Sequence, residues 1–260
     1  MEVIFSNLPW AFLLLARVAA VVGASPLIGS RNVPMRLKAG LVGILTLLLL
    51  PAVSLPQSQP QLELLPYLLL LGREMGVGLL LGFCVTAAFA IFQLIGQFID
   101  MPIGFGMVNV LDPTSQSQMP IVGQFQYLLA MGIFLLINGH HGIILALGRS
   151  LELIPLGGIG LSSELLGWSV GVFAQMFALG FQLSLPVVGT LFLTDLALAI
   201  IARTVPQMNV FVVGYPAKIL IGLGVLALSL PLCGGVLVDL FGPQGWLMGE
   251  ISTLLRLLGR

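Results

Sequence analysis

Four ionisable side chains lie inside apolar runs: Arg17 in LLLARVAAVV, Glu74 in LGREMGVG, Asp195 in LFLTDLALAI and Asp239 in GGVLVDLF. A charge in hydrocarbon is costly, so each is a candidate for function. One chemistry is a proton or ion relay. The other is polar glue between helices, for example an Arg17–Asp195 contact. Arg73 and Glu74 are adjacent on a helix and about 100° apart, so they need not pair with each other. Asp195 has no base within reach on its own helix face. Transporters gather more convergent polar residues per helix than these runs contain, which favours glue.

Other reactive residue types lead nowhere. His140 and His141 are the only histidines and are adjacent, not spaced i, i+4 as two metal ligands on one helix face would be. They read as a helix end, with Gly142 available for the chain reversal. Cys84 and Cys233 lie in apolar runs and read as small hydrophobes. No further His or paired Cys completes a zinc set, and no metal or cofactor is expected. Gly104-Phe105-Gly106 lacks the Gly-Lys-Ser/Thr of a phosphate loop. Neither G-x-S-x-G nor H-E-x-x-H occurs, so an enzyme has no motif to stand on.

The elements that hold these residues are apolar helices. Of 260 residues, 58% are hydrophobic and 8% charged, with ten Lys and Arg against ten Asp and Glu. Mean hydropathy is +1.11. Soluble domains carry roughly a quarter charged residues, so lipid or partner helices must stand in for the missing polar surface. A net charge of zero leaves no basic footprint for nucleic acid. Ser25 follows Val22-Gly23-Ala24, a possible signal-peptidase site. Glu2 before the apolar run and Arg17 within it are wrong for a secretory signal, and a retained first helix is expected.

A membrane span takes about 20 apolar residues, and about six long helices are predicted in one all-α polytopic membrane domain. They cover roughly 9–27, 35–50, 66–99, 122–147, 165–202 and 217–240, followed by a partly amphipathic tail from Trp246. Pro186 makes the fifth region either one kinked helix or two short ones. Gly78 and Gly82 form a small-xxx-small pair, with Gly76 nearby, suited to close helix packing. Under six spans, Arg31, Arg36, Lys38, Arg203 and Lys218 fall on one side, and Arg149, Arg256 and Arg260 on the other. That bias leans toward an outside N-terminus.

One connection stands apart. Asp100 to Pro120 reads DMPIGFGMVNVLDPTSQSQMP, longer than the usual two to eight residues between helices. At membrane depth, irregular backbone is tolerated only where protein buries it or water lines it. Its glycines and apolar side chains suit a plug or lining element in a channel.

In order and spacing, the chain resembles the FliR family of flagellar biosynthesis proteins, which includes the SpaR-type proteins of virulence type III secretion. The resemblance runs through Arg17, PMRLK (34–38), REMGVG (73–78), GQFID (96–100), GFGMVNVLDP (104–113) and Asn138-Gly139-His140. It continues through Ser150, Pro155, Pro186, Asp195, PQMNV (206–210) and Gly214. It implies a non-catalytic subunit of an export gate in the bacterial inner membrane, within the flagellar basal body. FliP-type and FliQ-type subunits, a further export-apparatus membrane protein and exported unfolded proteins would be its partners. It also implies a FliP-like part at about 1–203 and a FliQ-like hairpin at about 217–260. The family's plug loop corresponds to about 106–118. Phe105, Gly106, Met107, Val108, Val110, Leu111, Asp112, Pro113 and Met119 would then form the seal. The rival reading is a stand-alone transporter or ion channel with a helix broken at Pro186 and Asp195 at mid-membrane.

Overall fold

The computed structural model describes residues 8–30, 32–53, 63–105, 120–158, 164–205, 207 and 209–259. Among these residues the regular structure is helical: α1 (Leu8–Ala24), α2 (Met35–Leu49), a 3-10 turn (Leu50–Ala52), α3 (Leu64–Ile103), α4 (Ile121–Leu136), α5 (Gly139–Leu153), α6 (Glu164–Thr204), α7 (Val210–Phe241) and α8 (Trp246–Leu258). Stretches Leu64–Ile103, Glu164–Thr204 and Val212–Leu258 are long and apolar enough to cross a membrane, and α4 with α5 could make a fourth, broken span. At 40 and 41 residues, α3 and α6 each extend about 60 Å, roughly twice the hydrocarbon core. At 17 and 15 residues, α1 and α2 fall short of a full span. The side assignment of the arginines from six spans therefore loses its basis, and Arg149 lies within α5, not in a loop.

Two sequence expectations are corrected and one open choice is decided. The helix placed at 122–147 is two helices, because Asn138 takes a left-handed conformation (φ 58°) and restarts the chain as α5. Asn tolerates that region better than most residues. The break therefore falls before the histidines, and Gly142 lies inside α5. Second, the open choice at Pro186 between one helix and two short ones falls to one helix, since α6 runs unbroken through it. Third, α7 begins at Val210, ahead of the expected 217, and takes in Pro216 and Pro231.

The chain divides into two compact units. Unit 1 comprises residues 1–88, 137–172 and 241–260, and unit 2 comprises 89–136 and 173–240. The C-terminal 217–260 stretch contributes to both, so compactness does not follow chain order.

In unit 1, α1 buries Leu13, Leu14, Arg17, Val18, Val21 and Val22, a face repeating at helical spacing. Lys38 on α2 donates to the Gly29 carbonyl at 3.0 Å, tying the α1–α2 turn. Helix α8 buries Leu247, Ile251, Leu254, Leu255 and Leu258, and exposes Ser252, Thr253 and Arg256. In unit 2, the Phe98 ring meets Phe177 and Phe181 edge-on, with centroids 5.5 and 5.6 Å apart. Phe89 meets Phe134 in the same way at 5.3 Å. On α6, Leu185, Phe192, Leu193, Leu196 and Ile200 stay exposed.

Candidate functional site

Unit 1 closes on one buried ion pair. Arg17 and Glu74 are both fully inaccessible, and Arg17 Nε donates to Glu74 Oε2 at 2.6 Å. Arg17 Nη1 donates to the Ser150 carbonyl at 3.1 Å and to its Oγ at 3.3 Å, and Nη2 donates to the Ile154 carbonyl at 3.1 Å. Ser150 Oγ in turn donates to the Leu147 carbonyl at 2.7 Å. The second Glu74 oxygen accepts from the Gly157 backbone N–H at 2.8 Å. Gly157 holds φ at +84°, a value glycine adopts without steric cost. A buried charge is tolerable only when paired and hydrogen-bonded, and each end of this pair has further partners. The network joins α1, α3, α5 and the turn after α5.

The glycines of α3 bring that network together. A Cβ on Gly78 would collide with the Arg17 carbonyl oxygen and the Ala20 side chain, and one on Gly82 with Ala24. Thr86 Oγ1 donates to the Ala24 carbonyl at 2.7 Å, so the residues around the apparent cleavage site are packed helix. Gly76 has nothing within 4 Å of a Cβ position, so packing does not require a glycine there. Gly76 thus differs from Gly78 and Gly82 within this chain.

Arg17 and Asp195, expected as partners of each other, each have another partner. Arg17 is satisfied within unit 1, whereas Asp195 of α6 forms an ion pair with Lys218 of α7 in unit 2. Lys218 escapes a search confined to Asp195's own helix because it comes from the next one. Asp239 is exposed on α7. The His140 and His141 rings lie 4.3 Å apart by centroid. Among the described residues, no group of three or more His, Cys, Asp or Glu could hold a metal ion.

The loop reading centres on unit 2. Gly106, Met107, Val108, Val110, Leu111, Asp112, Pro113 and Met119 lie outside the described residues. Phe105 is half-buried and follows Gly104, whose φ is +103° and whose Cα faces the Tyr215 ring. The flanks of the segment are held together. A Cβ on Gly96 would strike the backbone of Gly123, and buried Asp100 accepts from the Val122 N–H at 3.1 Å. Asp100 thereby takes up one of the free amide donors at the start of α4, the work of a helix cap. The motif GQFID is thus the clamp between the two flanks. That role is not legible in the sequence, because a cap 22 residues distant has no local signature.

Apolar helices of spanning length, organised around an internal ion pair, define a polytopic helical membrane protein. The chain belongs to the bacterial export proteins, family 1, whose model matches residues 8–243. It is 36% identical to the flagellar biosynthetic protein FliR of Bacillus subtilis over 263 aligned residues, covering 100% of this chain and 99% of that one. Its identity to FliR of Escherichia coli is 30%, covering 94% and 93%. It is also 30% identical to the Yop proteins translocation protein T of Yersinia pestis, over 70% of each chain. The chain is a membrane component of a bacterial protein export apparatus.

Proposed function

We propose that this protein is a non-catalytic subunit of the flagellar type III export gate in the inner membrane. With FliP-type and FliQ-type subunits it lines and seals the channel for unfolded flagellar proteins. The observation carrying the seal is the clamp formed by Gly96, Gly123 and Asp100, which fixes both flanks of the segment 106–119. A plug needs such a base, since a segment free to drift cannot close one opening. The side chains assigned to the seal are Phe105, Met107, Val108, Val110, Leu111 and Met119. Apolar constrictions exclude water and ions without a charged filter. The FliR names of the relatives support the flagellar branch, and the exposed apolar face of α6 supports packing against other helices.

Deleting residues 106–118 while leaving the clamp intact should make cells carrying the assembled gate leak small ions. Membrane conductance is the measurement. An assembled deletion variant as tight as the parent ends the plug assignment. The stand-alone transporter loses its two supports, because α6 is continuous at Pro186 and Asp195 is already paired with Lys218.

A further inference from the structure

Arg149 on α5 and Arg256 on α8 border one cavity of about 670 Å³ within unit 1. That volume lies within the usual range for small-molecule sites, about 300–1,000 Å³. No carboxylate lines the cavity, and among the described residues neither arginine forms an ion pair. In a chain whose charges balance overall, this is a local excess of two permanent cations. Guanidinium groups are always charged, and their planar fork of N–H donors matches a phosphate.

Much of the remaining lining is apolar, including Leu145 and Leu153 on α5 and Ile251 and Leu255 on α8. The two helices are held in place at both ends. Gly142 abuts the Met248 side chain, and Gly259 abuts the Leu153 carbonyl, so the cavity is a built feature of the packing.

We propose that this cavity binds an anionic phospholipid, with its headgroup phosphate between Arg149 and Arg256 and an acyl chain along Leu145, Leu153, Ile251 and Leu255. Charge complementarity selects the phosphate, and basic pockets between membrane helices take such headgroups. The apolar wall selects lipid over free phosphate, which does not use it.

The test uses the full chain, delipidated in mild detergent and titrated with phosphatidylglycerol or phosphatidylcholine, with bound lipid counted by native mass spectrometry. The parent should retain phosphatidylglycerol in preference. Arg149→Gln combined with Arg256→Gln should weaken retention about thirtyfold, or roughly fivefold per arginine. Leu145→Trp fills the apolar wall while leaving both charges, and it should also lose the lipid. This second variant keeps the test decisive should the double variant fail to fold. Arg36→Gln, an exposed cation on α2, should change nothing. Undiminished retention in either cavity variant overturns the proposal, as does equal uptake of phosphatidylcholine. Displacement of lipid from the parent by millimolar inorganic phosphate would point instead to a free anion and overturn the proposal. Loss of a partner subunit from the purified complex with lipid retention unchanged would point to an acidic protein segment and overturn it too.

Discussion

The two units handle charge in opposite ways. In unit 1, Arg17 and Glu74 are sealed from solvent, and the pair draws on Ser150, Ile154 and Gly157 for its remaining hydrogen bonds. In unit 2, the Asp195 carboxylate stays 45% exposed beside Lys218, and the α6 face around it is bare Leu, Phe and Ile. A sealed pair is tolerated only when its neighbours replace the lost water, so it dictates how several helices meet. A half-exposed pair makes no such demand and contributes little. Unit 1 is therefore organised from within, whereas the outer face of α6 in unit 2 needs lipid or partner helices to cover it.

The hardest blow to this contrast is Glu74→Ala, which strands a buried guanidinium. It should cost about 3–5 kcal/mol, read as lost thermal stability in detergent. Arg17→Met with Glu74→Leu should recover most of that loss, because removing both partners leaves no orphan charge. A double variant as unstable as the single one would show that the pair is more than packing.

Next in size is Gly78→Val, which drives a side chain into the Arg17 carbonyl and should cost roughly 1–3 kcal/mol. Gly76→Ala, two residues away and facing open space, should instead leave stability unchanged or raise it by up to about 1 kcal/mol. Equal losses at both positions would remove the close approach of α1 as the cause. The smallest effect belongs to Asp195→Asn, which should shift stability by less than about 1 kcal/mol and leave export in motile cells near normal. Abolished transport with an intact complex would revive the transporter.

Much of the fold was legible because hydrocarbon-length apolar runs are hard to mistake. Gly78 and Gly82 announced a close approach through their spacing alone, whereas nearby Gly76 faces open space in this chain. The split at Asn138 was only half legible: the histidines read as a helix end, yet the apolar run 122–147 around them read as one helix. Asp100, Lys218 and Ser150 were visible as residues but silent as partners. Their contacts join positions 22, 23 and 133 residues apart, beyond any local periodicity.

Composition by itself determined a helical protein that needs a membrane, and it determined which charges would be expensive there. Only the tertiary structure decided where each charge finds relief: Arg17 on Glu74, Asp195 on Lys218, and Asp100 on a helix end. The physical reason is that burial sets the cost of a charge locally, whereas the groups that offset it arrive from helices distant in sequence.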